Sequence, residues 1–134
     1  SVQLTGISTR APVGQGARES MNTSFIIQGS APLNVVCRGR GPSINLDVDK
    51  LADPILQLFR LEGGTPVLVS ENDSYLDDPN IDFVTGTNFI PPGIQDAEAI
   101  IVALDLNPGA YSVVLRDAGT DEGVGISEAF VGDF

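Results

Sequence analysis

The chain has 134 residues, a length that suits one domain with a buried core. It is strongly acidic, with seven Lys and Arg residues against 18 Asp and Glu residues and a net charge of −11. Nucleic acids and anionic membrane surfaces bind clustered basic side chains, so we expect neither as a partner. A membrane span needs an uninterrupted apolar run of about 20 residues, and the sequence contains no such run.

The charge is distributed unevenly along the chain. Residues 1–60 contain six of the seven basic groups and only four acids, whereas residues 61–134 contain a single base and fourteen acids. Two interpretations stay open. The acidic half is either an ordinary solvated surface, or it gives the molecule unlike ends that suit head-to-tail contact or divalent cations.

The N-terminal segment predicts a β-strand at Ser1–Arg10 followed by a flexible tether at Ala11–Ser20. We therefore divide the chain into a strand and tether (residues 1–20) and a β-sandwich domain (residues 21–134). A tethered strand can pair with its own domain or with a neighbour's sheet. If it is donated, the side chains expected to seat in the receiving core are those of Val2, Leu4 and Ile7. Because the chain begins with Ser, we also expect that an initiator Met or a targeting peptide has been removed.

Seven further runs are rich in β-formers and separated by turn residues, and no stretch has a helical period. Eight short strands with long surface loops predict an all-β, antiparallel β-sandwich of the jelly-roll or immunoglobulin-like kind. The long loops are expected at residues 40–53 and 71–96. The seven predicted strands are Thr23–Gly29, Leu33–Gly39, Ile55–Leu61, Thr65–Ser70, Ala99–Asp105, Ala110–Arg116 and Val124–Val131.

Three connections carry turn chemistry that predicts β-hairpins. Glu62-Gly63-Gly64 separates two strands, and Asn107-Pro108-Gly109 forms a tight turn between two others. The stretch from Ala118 to Gly123 is expected to close a third hairpin onto the last strand.

The single cysteine, Cys37, excludes a disulfide within the chain and any cysteine-based zinc site. It alternates with Val35 on one face of its predicted strand. We expect it to be a small buried apolar residue.

The residue inventory argues against an enzyme. Histidine is absent, which removes the commonest general base, and there is no Trp to stack on a sugar ring. The densest acidic group offers paired carboxylates, but adjacent acids on a loop are more typical of a solvated surface than of a glycosidase pair. Calcium, which takes six to eight oxygen ligands, is the better candidate for a ligand of this loop. The candidate calcium ligands are Asp73, Asp77, Asp78 and Asp82.

Seven short phrases recur in a known kind of protein module: Leu4–Arg10, Phe25–Gly29, Arg38–Ser43, Leu51–Pro54, Glu71–Asp73, Pro108–Tyr111 and Gly123–Glu128. On these phrases the chain resembles a β-sandwich module that recurs in tandem in large secreted and cell-surface bacterial proteins. The later half is also similar to the pre-peptidase C-terminal type of secreted domain. The resemblance implies a bacterial protein that is secreted, extracellular or on the cell surface, and it supplies no catalytic residue.

Two hypotheses of different classes follow. In the first, the chain is a structural subunit that forms a head-to-tail homopolymer, a pilus-like filament, by donating the strand Ser1–Arg10 to a neighbour. In the second, the chain is a monomeric adhesion module that binds a glycan or another surface protein through the loop at residues 71–96, with calcium as a possible ligand. The strand then pairs within its own domain.

Overall fold

In a computed structural model, residues 4–14, 20–45, 47–119 and 122–134 are described, and together they form eight β-strands. Each predicted strand is confirmed within the described residues: the ends of seven strands differ from the prediction by at most two residues, and β1 extends three residues past its predicted end. The strands are β1 (Leu4–Val13), β2 (Met21–Ile27), β3 (Leu33–Arg40), β4 (Pro54–Glu62), β5 (Thr65–Asn72), β6 (Ala99–Leu106), β7 (Gly109–Asp117) and β8 (Gly123–Gly132).

The strands form two antiparallel four-stranded sheets, which confirms the predicted all-β sandwich. The first sheet has the order β1-β8-β3-β6 and the second has the order β2-β7-β4-β5. Strands pair as β1 with β8, β2 with β7, β3 with β6 and β4 with β5. The chain is therefore one long antiparallel ribbon, with its tip at the β4–β5 turn, rolled into two layers. This order is that of a jelly roll.

The main core lies between the two sheets and follows from the period-2 alternation of each strand. Leu56 and Leu58 of β4 face Val35 and Cys37 of β3, and all four side chains are buried. The expectation that Cys37 is a buried apolar residue beside Val35 is confirmed. Burial, with a smaller contribution from the Asp78 carboxylate, raises the pKa of the Cys37 thiol to about 12.

A second, smaller core lies on the outer face of the first sheet. Outward-facing Val36, Ile100 and Val102 are buried there beneath the segment that joins β5 to β6. This segment contains two single-turn 3₁₀ helices, Tyr75–Asp77 and Ile81–Phe83. Neither of these helices, which are the helical elements of the described residues, is long enough to cross a membrane.

Only one of the three predicted hairpins is a hairpin. β4 and β5 pair directly around Gly63 and Gly64, whose φ angles of 58° and 84° suit the tight two-residue turn that only glycine adopts without strain. The other two predictions were wrong, because β6 and β8 belong to the first sheet while β7 belongs to the second.

The turn between β6 and β7 carries the chain from the first sheet to the second, and a backbone feature and two hydrogen bonds accompany this crossing. Asp105 adopts a φ of 56° at a bulge near the end of β6, where β6 has one more residue than the β3 segment that it pairs with. The Tyr111 hydroxyl then donates to the Asn107 carbonyl at 2.6 Å and accepts from Arg60 at 2.8 Å, which holds the start of β7 against β4. Turn residues predict a reversal of direction, but they do not specify which sheet receives the next strand.

The boundary between the N-terminal strand and the predicted tether also differs from expectation. β1 continues through Ala11, Pro12 and Val13, residues that had been assigned to the tether. The remainder of the predicted tether between residues 15 and 19 lies outside the described residues.

Candidate functional site

The candidate site for strand donation is β1 and the sheet edge that it occupies. β1 is an edge strand of the first sheet, and β8 is the strand beside it. Their antiparallel register runs from Leu4 opposite Gly132 to Val13 opposite Gly123, ten residue pairs in all. The attachment of β1 is therefore largely a backbone ladder to one neighbouring strand, a mode that does not depend on which chain supplies the strand.

The side chains of β1 contribute modestly to the core. Val13 is buried, whereas Ile7 and Ala11 are only partly buried against the core from the margin of the first sheet. Burying one Val side chain stabilises a fold by about 1.5–3 kcal/mol. The other buried residues of the main core come from β2, β3, β4, β6, β7 and β8, with Leu51 added from the loop after β3.

The structure describes the side chain of only one of the three predicted donor residues, Val2, Leu4 and Ile7. Ile7 is partly buried against the core of its own chain. The backbone of Leu4 pairs with Gly132, but its side chain is not described, and Val2 lies outside the described residues. Their role as donated side chains stays a prediction.

An open cavity of about 380 Å³ lies beside β1, between the two sheets at the end where β1 begins. It is mainly apolar, and it adjoins the first residues of β1 rather than the buried Val13. Among the residues that line it are Thr5, Ile7, Phe25, Ile27, Leu33 and Val131. The sheets are thus incompletely filled at the end of the sandwich where the N-terminal residues enter.

Two hydroxyl groups in the strands that flank β1 are buried without a hydrogen-bond partner among the described residues. They belong to Ser127, which pairs with Thr9 of β1, and to Thr23 of β2. A buried hydroxyl that makes no hydrogen bond lowers stability. The described residues contain one other such atom, Arg116 Nε on β7, so buried unpaired groups are not confined to this side of the sandwich.

The structure places the four candidate calcium ligands in different surroundings. Asp73 and Asp77 are exposed and line one pocket of about 210 Å³ together with Glu71. Asp78 is buried, and Asp82 is exposed on the second 3₁₀ helix. In the described part of the chain, no three acidic side chains, including the three that line this pocket, come close enough together to hold a metal ion. Calcium binding stays a prediction.

Asp78 and its neighbours instead cover the free edge of β6. The Asn72 side chain accepts a hydrogen bond from the Ile100 N–H at 3.0 Å, and the Asn80 side chain donates to the Val102 carbonyl at 3.0 Å. The Asp78 carboxylate accepts from the N–H groups of Val102 and Asn80. Burial raises the pKa of Asp78, while these N–H groups oppose the rise. Polar side chains thus occupy the positions that a further strand would take, which protects this edge from pairing.

Glu98 is the buried acid that joins the two long loops. One carboxylate oxygen accepts from the Gly41 N–H at 2.8 Å, the Ser43 N–H at 3.2 Å and the Ser43 hydroxyl at 2.7 Å. The other oxygen accepts from the Gln95 N–H at 2.8 Å. The side chain is 0% exposed, so each of these donors satisfies a charge that water does not reach.

Sequence reasoning did not single out Glu98, nor the edge-covering role of Asn72 and Asn80. One signal was present, since Glu98 directly precedes the apolar strand that begins at Ala99. The partners of these side chains lie on distant segments, which the local sequence does not reveal.

A second anchor holds the β5–β6 segment on the first sheet. Arg38 forms a two-point ion pair with Glu128 of β8, with distances of 3.1 and 2.8 Å, and the guanidinium lies 4.6 Å from the centre of the Phe130 ring. The same guanidinium donates to the carbonyl groups of Asn88 and Phe89 at 3.3 Å. The outer face of the first sheet is therefore covered by the chain itself.

Comparison with models of known protein families gives no match, and no curated protein matches the sequence. What the chain does is therefore inferred from its own residues and geometry.

Proposed function

We propose that this chain is a structural subunit of an extracellular or cell-surface filament, in which β1 of one subunit pairs with β8 of the next. The observation that carries the proposal is the attachment of β1 at a sheet edge, through a ten-residue ladder to β8. The same ladder forms whether the strand comes from its own chain or from a neighbour. Exchange between identical chains is therefore a low-cost route to assembly, and a head-to-tail contact that does not close produces a filament.

Two features of the neighbouring core support the proposal. The cavity next to Thr5 and Ile7 leaves apolar surface open to a segment from another chain. The unpaired hydroxyls of Thr23 and Ser127 make this side of the sandwich less stable than a fully satisfied core. Regions with such local weaknesses are those that open most readily.

The contrast between the outer edges of the first sheet also supports the proposal. The β6 edge is covered by the side chains of Asn72, Asp78 and Asn80, which disfavours a strand partner there. The opposite edge is formed by β1, the one strand that precedes the rest of the sandwich in the chain. Filament growth by strand exchange would therefore use the edge of this sheet that β1 forms.

The test uses a pair of cysteines placed opposite each other on the outer face. Arg10 is exposed and pairs with Ile126, which is partly exposed, so Arg10→Cys and Ile126→Cys bring two thiols to the separation of directly opposed residues. The two single variants are unfolded, mixed, refolded together and oxidised. Donation between chains predicts a disulfide that joins an Arg10→Cys chain to an Ile126→Cys chain, visible on a non-reducing gel as a doubled mass that neither single variant gives when it is refolded and oxidised alone.

A register control uses Ser8→Cys mixed with Val124→Cys. Ser8 pairs with Glu128, four residues from Val124, so these thiols are too far apart in the observed ladder. Linked chains from the Arg10 and Ile126 mixture but not from the control support strand donation. No linked chains from the mixture, together with a 14.0 kDa monomer at all concentrations, would refute it and favour the monomeric adhesion module. The native protein should also be imaged by electron microscopy, where the proposal expects filaments that are lost when Ser1–Arg10 is deleted.

A further inference from the structure

β1 contains one glycine, Gly6, which lies directly opposite Phe130 of β8. Glycine is disfavoured inside a strand, because it has no side chain to pack and loses the most conformational freedom on folding. The backbone does not require glycine here, since Gly6 lies within the regular ladder and its φ angle is not positive. The presence of a glycine at this position therefore has another physical cause.

The cause is the space available on the outer face of the first sheet. A Cβ atom added at Gly6 would lie 3.0 Å from two carbon atoms of the Phe130 ring. Carbon atoms in favourable contact are about 3.5–4.0 Å apart, so any larger residue would press into the ring. A cross-strand aromatic residue that covers a glycine is one of the features that fix the register of paired strands.

Two other neighbours hold the Phe130 ring in this position. The Arg38 guanidinium lies 4.6 Å from the ring centre, and the Phe89 ring packs edge to face with 5.6 Å between the centroids. Arg38 is itself held by its two-point ion pair with Glu128 and by the carbonyl groups of Asn88 and Phe89. A side chain at position 6 could not displace the ring without disturbing these contacts.

The same contact distinguishes the observed register from the nearest alternatives. A shift of one residue would turn the partly buried Ile7 away from the core, because successive side chains face opposite sides of a sheet. A shift of two residues keeps the faces but brings Leu4 or Ser8 opposite Phe130, and both of these residues have a Cβ atom. Among these registers, only the one with Gly6 opposite Phe130 meets both requirements.

We infer that Gly6 and Phe130 together select the strand that β8 accepts and the register in which it pairs. A backbone ladder alone would accept any extended strand. The selected strand has glycine opposite Phe130 and apolar residues facing the core, and a second copy of this chain supplies such a strand. The choice of a second copy as partner rests on the proposed strand donation, whereas the register applies equally within one chain.

A stability measurement on the full chain tests the register without any exchange of strands. Gly6→Val introduces a residue that strands favour, and it would stabilise an ordinary strand position. Here it should lower the urea midpoint of unfolding, because the added side chain meets the Phe130 ring. Ser8→Val is the matched control, since Ser8 is exposed on the same face of β1, and it should leave the midpoint unchanged or raise it.

Removal of the ring completes this measurement. In a chain that carries Phe130→Ala, the side chain at position 6 has room, so Gly6→Val should no longer lower the midpoint. The difference between the two backgrounds measures the coupling between positions 6 and 130. Circular dichroism checks that each variant is folded.

Competition between two donors tests the choice of partner. Two Arg10→Cys chains, one with the native Gly6 and one with Gly6→Val, are unfolded in equal amounts with a limiting amount of Ile126→Cys chain, refolded and oxidised. The two donors differ in mass, so mass spectrometry counts each kind of linked chain. Overpacking should favour the donor with the native Gly6 by at least about fivefold. The preference should disappear when the receiving chain also carries Phe130→Ala.

A higher midpoint for Gly6→Val than for the parent would overturn the role of Gly6 in the register, as would an equal loss with and without the Phe130 ring. Equal capture of the two donors would overturn the selection of the strand. If neither donor forms linked chains, strand donation is refuted and the choice of partner with it, while the stability measurement still decides the register. Failure of the proposed function is therefore distinguishable from failure of the contact between Gly6 and Phe130.

Discussion

Replacing the buried carboxylate of Glu98 is the perturbation with the clearest expected effect on stability. Glu98→Gln keeps the size of the side chain but removes its charge and turns one acceptor oxygen into an NH₂ donor. In the native chain that carboxylate accepts four hydrogen bonds, three of them from Gly41 and Ser43. Whichever oxygen becomes the NH₂ group, at least one buried N–H donor then faces another donor.

The magnitude follows from those four contacts. One unsatisfied buried donor costs about 1–3 kcal/mol, and weakening the other bonds from charged to neutral adds to this, so we expect a loss of about 3 kcal/mol. That is a large share of the roughly 5–15 kcal/mol by which a domain of this kind is stable. The loops at Gly41–Ser43 and Gln95–Glu98 should also lose protection from amide hydrogen exchange before the strands do.

The assay is urea unfolding followed by far-UV circular dichroism. Asp96→Asn is the matched control, because it removes one negative charge from an exposed position two residues away. If Glu98→Gln lowers the free energy of unfolding no more than Asp96→Asn does, the buried network does not hold the loops together and the reasoning is wrong.

Three further predictions concern single side chains. Thr23→Val should raise the free energy of unfolding by about 1 kcal/mol in the same assay, because the buried Thr23 hydroxyl has no partner in the described part of the chain. Burial, followed by the charges of Asp117 and Asp73, raises the pKa of Asp53, so the folded chain holds that proton more tightly than the unfolded chain. Ionised Asp53 therefore lowers stability above its raised pKa and not at pH values below the ordinary value of 3.8. Asp53→Asn should raise stability at pH 7 by roughly 0.5 kcal/mol and have no such effect at pH 3. Cys37, with a pKa of about 12, should react with a thiol reagent at pH 8 only after unfolding.

Each of these has an outcome that contradicts it. Destabilisation by Thr23→Val would mean that the hydroxyl is satisfied, for example by a buried water molecule. An Asp53→Asn effect that is equal at pH 7 and pH 3 would exclude a charge origin. Rapid labelling of Cys37 in the native chain would show that its strand opens readily or that the thiol is not buried.

The local sequence was sufficient to predict the strands and the faces that they bury. Alternation is a short-range property, so Leu56 and Leu58 or Val35 and Cys37 show which side points inward without knowledge of the partner. The turn at Gly63 and Gly64 was equally local, because its positive φ angles require particular residues.

The local sequence did not predict which sheet contains the strand that follows each connection. β6 and β7, which the turn at Asn107–Gly109 joins, lie in different sheets, and so do β7 and β8. Whether a strand pairs with its predecessor or crosses to the other layer depends on long-range contacts. Those contacts include the Arg60–Tyr111 hydrogen bond and the cover over Val102.

The sequence by itself determined an acidic, histidine-free, all-β chain with eight strands and one buried thiol, because composition and alternation act residue by residue. Only the tertiary structure decided the roles of the polar side chains. It places Glu98 between two loops and Asp78 on the β6 edge, and both placements depend on segments far apart in the chain. The sequence identifies a carboxylate but does not show whether it faces water, a metal ion or a backbone N–H. Its role depends on its neighbours in the folded chain.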